Sequence, residues 1–250
     1  MTWNPPLQRL RRTAVALALL LSLAAPVTSH ANQTVWLFDN IQQSGGFKAQ
    51  PEGHPTLVPG PFGPALRFDG QQDSLFIEGR PLIGASTFTL EAVFRPEGGV
   101  FQQRFMHIAE TDPTTGLDAP PSGTDDPCSR FMFEIRVVDG EWYLDTYLKS
   151  KSGAQALVFP NKHYPLGRWY AVAQTYDGKT YRSYVNGELQ GEADVPFTPH
   201  GPGHMRLGAR MNHQSYFKGA LAEARFTDHA LKSAELLEIT SQQAAVGITP

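Results

Sequence analysis

Short runs of alternating apolar and polar residues, separated by turn residues, recur along most of the chain. The clearest is Thr87–Arg95, where Phe88, Leu90, Ala92 and Phe94 fall on one face of an extended backbone. A period of two predicts a β-strand with one buried side. We predict further strands at Val35–Asp39, Ala65–Asp69, Ser74–Ile77, Phe105–Ala109, Phe131–Val138, Glu141–Lys149, Ala154–Phe159, Trp169–Tyr176, Thr180–Val185, Glu188–Ala193, Met205–Ala209 and Tyr216–Phe226.

The strongest turn signals lie in the segment Arg168–Gly191. Asp177-Gly178 follows one predicted strand, and Asn186-Gly187 follows the next. Both dipeptides readily adopt the positive φ angles of tight hairpin turns, so the segment predicts a three-stranded antiparallel meander. Many short strands joined in this way favour an all-β fold, an antiparallel two-sheet β-sandwich or jelly roll, over parallel α/β layers.

The first 31 residues have the pattern of a secretory signal peptide. Arg9, Arg11 and Arg12 precede the apolar run Ala14–Ala25, and Ser29-His30-Ala31 has the small-x-small pattern of a signal-peptidase site. The apolar run is shorter than the roughly 20 residues that a membrane-spanning helix needs. We therefore expect a secreted protein, extracellular or periplasmic, with no membrane span.

Residues 32–241 are expected to form one jelly-roll domain, followed by a frayed tail at 242–250. Near its end, Ser233 is predicted to cap a short helix at Ala234–Ser241. Removal of residues 1–31 lowers Lys plus Arg from 21 to 18 against 24 Asp plus Glu, so the formal charge becomes −6. A mildly acidic chain with dispersed charges is not expected to bind nucleic acid. The single cysteine, Cys128, is expected to be an inert thiol or, alternatively, half of an intermolecular disulfide.

Seven motifs occur in an order that resembles a known family. They are ALRFDG (65–70), FTLEAVFRPE (88–97), PLGRWYAVAQTYDG (165–178), YVNGEL (184–189), LGAR (207–210), YFKGALAEARF (216–226) and HALKSAELLEI (229–239). Together they are similar to the laminin-G-like jelly rolls of the concanavalin A-like lectin/glucanase superfamily. The resemblance implies two curved antiparallel sheets, of which the concave one often presents ligands. Function is left open, because the superfamily holds lectins, adhesion modules, glycosidases and polysaccharide lyases.

The chain departs from the family pattern at two places. Relatives commonly carry an Asp-Glu pair in the closing strand, whose Asp often helps to hold a structural Ca²⁺, but this chain has Ala222-Glu223. Asp39 and Glu223 remain candidate ligands for a possible structural Ca²⁺, although this ion takes 6–8 oxygens. The glucanase signature E-x-D-x-x-E is also absent.

The hairpin around Asp139-Gly140 carries the candidate chemistry. A two-residue turn there sets the register of the flanking strands, which places an apolar row on one face. The other face pairs Arg136 with Tyr143, Glu134 with Asp145, and Met132 with Tyr147.

The candidate ligand-binding residues are therefore Glu134, Arg136, Tyr143, Asp145 and Tyr147. In one interpretation they form a concave patch that faces a sugar, with flat tyrosine rings and acids that accept hydrogen bonds. In a second, the face is solvated, and Arg136 with Lys149 neutralises the acids. In a third, the acids act as in a retaining glycosidase, whose carboxyl groups lie about 5 Å apart. Two carboxylates this close raise the pKa of one of them.

The segment Glu110–Arg130 predicts a long surface loop, because it contains four Pro, two Gly and four Asp. Such loops are either mobile insertions or functional rims. In the second case Asp112, Asp118, Asp125 or Asp126 would reach a metal or a sugar. His107 and His163 lack a second His or Cys at metal-ligand spacing, so core or surface roles are expected for them. His200, His204 and His213 lie near one end of the chain, where convergence on a metal is a less favoured alternative.

These observations favour a secreted, non-catalytic carbohydrate- or surface-binding module of the lectin or adhesion type, whose partner is a glycan or another extracellular component. A polysaccharide hydrolase or lyase that uses Glu134 or Asp145 with a tyrosine is an alternative from another class. A protein-binding adhesion or structural domain is a third.

Overall fold

A computed structural model describes residues 1–2, 32–119 and 128–247 of the chain. The predicted signal peptide therefore lies almost entirely outside the described residues, and its removal stays a prediction. Among the residues described, no helix is long and apolar enough to cross a membrane.

The described residues form 17 strands, numbered here in chain order. They are β1 (Gln33–Leu37), β2 (Gln43–Ser44), β3 (Phe47–Glu52), β4 (Thr56–Gly60), β5 (Gly63–Asp69), β6 (Ser74–Ile77), β7 (Phe88–Pro96), β8 (Gln102–Glu110), β9 (Arg130–Val138), β10 (Glu141–Lys149), β11 (Ala154–Val158), β12 (Tyr164–Pro165), β13 (Tyr170–Tyr176), β14 (Thr180–Val185), β15 (Glu188–Asp194), β16 (Gly203–Leu207) and β17 (Lys218–Thr227).

These strands form two antiparallel sheets. The first sheet has the order β15-β14-β13-β7-β17-β5-β4, with β1 paired to β17. The second has the order β11-β10-β9-β8-β16-β6-β3-β2, with β12 paired to β10. The predicted all-β, two-sheet sandwich is confirmed.

Aromatic side chains from both sheets form the centre of the core. Phe94 of β7 stacks on Phe105 of β8 with ring centroids 4.4 Å apart, and Phe105 stacks on Phe133 of β9 at 5.4 Å. All three are fully buried. The alternation seen along Thr87–Arg95 therefore directs its apolar row into the space between the sheets.

Two of the three predicted turns adopt the expected geometry. Asp139-Gly140 has φ angles of 51° and 80°, and Asn186-Gly187 has 46° and 76°, as a type I′ turn requires. Asp177 differs, because only Gly178 of that pair has a positive φ. The Asp177 carboxylate instead accepts hydrogen bonds from the backbone N–H groups of Lys179 and Thr180, at 3.0 and 2.8 Å, which closes a three-residue loop.

Short helices are present near the C-terminus, but they do not span the predicted residues. A 3₁₀ helix spans Ser233–Glu235 and a one-turn α-helix spans Ser241–Ala244. The intervening chain is extended, and its Leu237 N–H donates to the buried Glu91 carboxylate at 2.6 Å. A helix at Ala234–Ser241 would use the Leu237 N–H in its own backbone hydrogen bonds, and the buried Glu91 carboxylate would lose this donor.

The segment 231–246 covers the outer face of the first sheet. Its apolar residues pack on a surface made mostly of small side chains. The Val246 carbonyl also accepts hydrogen bonds from Trp169 Nε1 at 2.9 Å and Arg95 Nη1 at 3.1 Å. The predicted fraying is therefore wrong for this part of the tail. The surface consists of Ala65, Val93, Trp169, Ala171, Ala220 and Ala222.

A buried polar network links the two sheets. Gln174 of β13 is fully buried, and its Nε2 donates to the Met132 carbonyl of β9 at 2.8 Å while Tyr181 donates its hydroxyl to Gln174 Oε1 at 2.7 Å. Ser183 and Thr146, on opposite sheets, share a hydrogen bond of 2.6 Å. Polar residues at these core positions are therefore satisfied by the facing sheet.

We predict that Tyr181→Phe lowers the free energy of unfolding by about 1–2 kcal/mol, because it leaves the buried Gln174 Oε1 without its donor. Urea unfolding would measure the change. Tyr184→Phe is the matched control, since this neighbouring buried tyrosine donates no hydrogen bond within the described residues. Equal stability of the two variants would contradict the prediction.

Candidate functional site

The five predicted site residues lie together on the outer face of the second sheet. The observed pairs are Arg136 with Tyr143, Glu134 with Asp145, and Met132 with Tyr147, as the turn at Asp139-Gly140 predicts. The opposite face of the hairpin belongs to the core. The first sheet is covered by segment 231–246, so the second sheet carries the candidate site.

The two acids on this face are buried within ion pairs. Glu134 and Asp145 each have only 3% of their surface exposed. Glu134 contacts Arg104 at 3.1 Å and Arg136 at 3.2 Å, and Arg136 also contacts Asp145. The interpretation as a freely solvated face is therefore wrong for the acids. They hold two arginines in place.

Asp145 has a strongly perturbed acidity. Burial raises its pKa to about 7, the charge of Glu134 acts in the same direction, and Arg136 and Arg104 oppose the shift. Glu134 and Asp145 are directly opposed across the hairpin, where side chains lie about 5 Å apart. Asp145 is therefore partly protonated near neutral pH.

The other predicted residues differ in exposure. Tyr143 is buried, with its ring 5.6 Å from the His163 ring. Tyr147 and Arg136 are half-buried. Arg136 lies over the Phe101 ring at 5.8 Å. Of the five residues, Tyr147 and Arg136 are therefore the ones whose side chains reach the surface.

A row of neighbouring side chains continues from Tyr147 across five strands. The register pairs Tyr147 of β10 with Met132 of β9, Met132 with His107 of β8, His107 with Arg206 of β16, and Arg206 with Phe76 of β6. We call this row the outer strip. With strands about 4.8 Å apart it extends roughly 19 Å.

A half-buried aromatic ring lies at each end of the outer strip. Arg130 lies over the Tyr147 ring at 5.1 Å, and Arg206 over the Phe76 ring at 5.4 Å. His204 also contacts Phe76, with ring centroids 5.1 Å apart. Reasoning from the hairpin alone missed Phe76 and Arg206, because β6 and β16 are far apart in sequence and meet only in the sheet.

His107 lies at the centre of the outer strip and is fully buried. The Met211 N–H donates to its Nδ1 at 3.0 Å. Burial and the charges of Arg130, Arg210, Arg104 and Arg206 hold its pKa well below the usual value, so the ring is neutral. Since Nδ1 accepts, the proton resides on Nε2.

The candidate loop acids bind protein groups where they are described. Asp112 accepts hydrogen bonds from the Thr114 and Thr115 N–H groups, and Asp118 contacts His204 Nδ1 at 2.9 Å. Asp125 and Asp126 lie outside the described residues. Cys128 is buried, with 4% of its surface exposed, which removes it from the surface that an intermolecular disulfide would require.

A structural Ca²⁺ stays a prediction, and its two suggested ligands differ in environment. Asp39 is exposed, whereas Glu223 is buried, and burial together with the charge of Glu91 raises the pKa of Glu223 against the effect of Arg225. Within residues 32–119 and 128–247, no three His, Cys, Asp or Glu side chains are grouped to hold a metal. Ala222, where relatives commonly have an acid, lies beneath segment 231–246.

The family model Laminin_G_3, described as the Concanavalin A-like lectin/glucanases superfamily, matches residues 69–237. The chain belongs to this family. The resemblance found in the sequence motifs is thereby confirmed. No curated protein shows a significant match to the chain.

Solved structures with this laminin-G-like fold include domain 4 of AbnA, a GH43 extracellular arabinanase from Geobacillus stearothermophilus, in complex with arabinotriose. It is 18% identical, with 86% of this chain and 98% of that chain covered and a TM-score of 0.57. The binding domain of botulinum neurotoxin DC in complex with SialylT is 10% identical, with 81% and 49% covered and a TM-score of 0.54. A Trypanosoma rangeli sialidase in complex with the inhibitor DANA is 14% identical, with 81% and 31% covered and a TM-score of 0.53. At these identities the likeness shows the fold alone.

We predict that the stability of this laminin-G-like domain falls as pH rises from about 4 to about 7, as far as Asp145 contributes. Its folded pKa, raised to about 7, exceeds the unfolded value, so the folded state binds the additional proton in this range. Asp145→Asn removes this contribution. The free energy of unfolding of the variant, relative to that of the unmodified chain, should therefore increase from about pH 5 to about pH 8.

Urea unfolding at the two pH values measures that difference. Glu238→Gln is the control, because Glu238 is exposed and forms no ion pair among the described residues. A difference between Asp145→Asn and the unmodified chain that is constant with pH, or that moves in the opposite direction, would show the pKa assignment to be wrong.

Proposed function

We propose that this chain is a secreted, non-catalytic carbohydrate-binding module of the lectin or adhesion type, which binds a glycan or a related extracellular component on its outer strip. The observation that carries the proposal is the pair of half-buried rings, Tyr147 and Phe76, at the ends of a row that also contains the polar side chains of His107 and Arg206. Flat aromatic rings with a polar rim suit sugars, which have apolar faces and hydroxyl edges.

Two proteins with the same fold give limited support to carbohydrate binding. The arabinanase domain is in complex with arabinotriose, and the neurotoxin domain with SialylT. Both are under 25% identical to this chain, so they support carbohydrate binding as a use of the fold and identify no residue here.

The buried ion pairs contribute rigidity to the proposed site. Arg136 is held by Glu134 and Asp145, so it loses little conformational freedom when it contacts a ligand. The two acids of the site are buried and make no direct contact with a ligand in this proposal. We therefore expect modest affinity, about micromolar to millimolar in Kd.

One observation favours a second candidate, a polysaccharide hydrolase or lyase. A carboxyl group with a pKa of about 7 opposite another acid suits general acid–base chemistry. Against it, Glu134 and Asp145 each have 3% of their surface exposed. Incubation with a polysaccharide panel, scored for new reducing ends and for unsaturated uronate absorbance, would reveal such an enzyme.

We predict that Tyr147→Ala and Phe76→Ala each weaken binding on a glycan array by roughly two- to tenfold, the loss expected for one aromatic contact. Phe62→Ala is the matched control, because Phe62 is an exposed ring in the turn between β4 and β5 of the first sheet. Glycan binding that is unaltered in both outer-strip variants would remove the proposed site.

Secretion is tested separately. We predict that the exported protein begins near Asn32, because Ser29-His30-Ala31 is the expected cleavage site. Intact-mass measurement of protein recovered outside the cytoplasm would establish the N-terminus. Retention of residues 1–31 in all of the protein would contradict the predicted signal peptide.

A further inference from the structure

Three buried hydrogen-bond donors on the outer face of the second sheet have no acceptor within the described residues. They are Arg104 Nε, His107 Nε2 and Arg206 Nε. The exposed fractions of these residues are 9%, 0% and 4%. A buried donor without an acceptor costs free energy, so three in one place require an explanation.

The three donors belong to one small region. Arg206 and His107 are directly paired between β16 and β8. Arg104 lies three residues before His107 on β8, and the register shift between Arg104 and Met106 leaves both on the outer face. The charges of Arg104 and Arg206 both lower the pKa of the His107 ring.

Other atoms of the two arginines are already anchored. Arg104 donates to Ser215 Oγ at 2.7 Å and contacts Glu134, and Arg206 donates to Ser74 Oγ at 2.9 Å and contacts Glu52. The Glu134 and Glu52 carboxylates therefore contact the Nη atoms of the two arginines and not their Nε atoms. What remains at the centre of the outer strip is a set of donors.

A neutral sugar would not match this set well, because a hydroxyl must donate as well as accept. An anionic group accepts only, and its hydrogen bonds to charged donors are roughly twice as strong as neutral ones. Carboxylate and sulfate groups share this chemistry. The raised pKa of Asp145 also reduces the negative charge that such a group would meet.

We propose that the glycan bound on the outer strip is acidic, and that its carboxylate or sulfate group accepts hydrogen bonds from His107, Arg206 and Arg104. This inference rests on the proposed function and names its ligand class. All three donors are covered, and His107 is fully buried. The proposal therefore requires that the side chains above them move on binding, a change that is common at interfaces.

Matched polysaccharide pairs test the proposal on the complete mature chain. Polygalacturonate against its methyl ester isolates the carboxylate, and dextran sulfate against dextran isolates the sulfate. Isothermal titration calorimetry should show at least one charged member binding about tenfold more tightly than its neutral partner. Binding of that member should weaken as NaCl rises from about 0.05 to about 0.5 M, because salt screens the attraction.

Variants then locate the interaction. Arg206→Gln should weaken binding of the charged member about tenfold, a larger loss than it causes for the neutral partner. Arg206 is the suitable choice because its partner Glu52 keeps 36% of its side chain exposed and remains hydrated. Arg67→Gln is the charge-matched control, since Arg67 lies on β5 of the first sheet, is 45% exposed and pairs with Glu97.

Substitution of His107 gives a second, independent measurement. His107→Gln retains a donor and should bind the charged member more tightly than His107→Leu. Thermal unfolding of each variant reports whether the fold is retained. If Arg206→Gln does not fold, the matched pairs on the unmodified chain and the His107 variants still decide the outcome.

The possible failures are distinguishable. Equal binding of charged and neutral members, with Tyr147→Ala still weakening both, would overturn the acidic ligand and leave the carbohydrate-binding function intact. Equal losses in Arg206→Gln and Arg67→Gln would reduce the effect to general charge attraction and also overturn it. Absence of binding to any polysaccharide, charged or neutral, would overturn the proposed function itself.

Discussion

The register of β9 against β10 is the constraint on which the outer face depends. The type I′ turn at Asp139-Gly140 sets this register, and it places the Phe131, Phe133 and Ile135 row inside. A shift of one residue would exchange the two faces. It would expose aromatic core residues and direct Glu134 and its partner acid towards the hydrophobic interior, so the core and the candidate site are specified together.

The ion pairs on that face are part of the fold as much as of the site. Removal of one partner from a buried pair leaves an uncompensated charge and is strongly destabilising. The arrangement of Arg104, Glu134, Arg136 and Asp145 is therefore tightly constrained. This is why substitutions at the rings and at Arg206, rather than at the acids, separate binding from stability.

Local patterns in the sequence predict the hairpins, their register and the two-sheet architecture, because turn residues and alternation act between neighbours in the chain. They do not predict the outer strip, since His107, Arg206 and Phe76 come from three strands that meet only after folding. Local patterns likewise do not predict the burial of Glu134, because one of its two arginine partners, Arg104, comes from β8. The shifted C-terminal helix has a similar cause, a hydrogen bond to Glu91 on a distant strand.

Segment 231–246 has a consequence for how the molecule meets its surroundings. The segment lies across the alanine-rich outer face of the first sheet and covers it, whereas the outer face of the second sheet carries the arginines. Copies immobilised through the first sheet would leave the outer strip accessible, whereas copies attached through the second sheet would cover it.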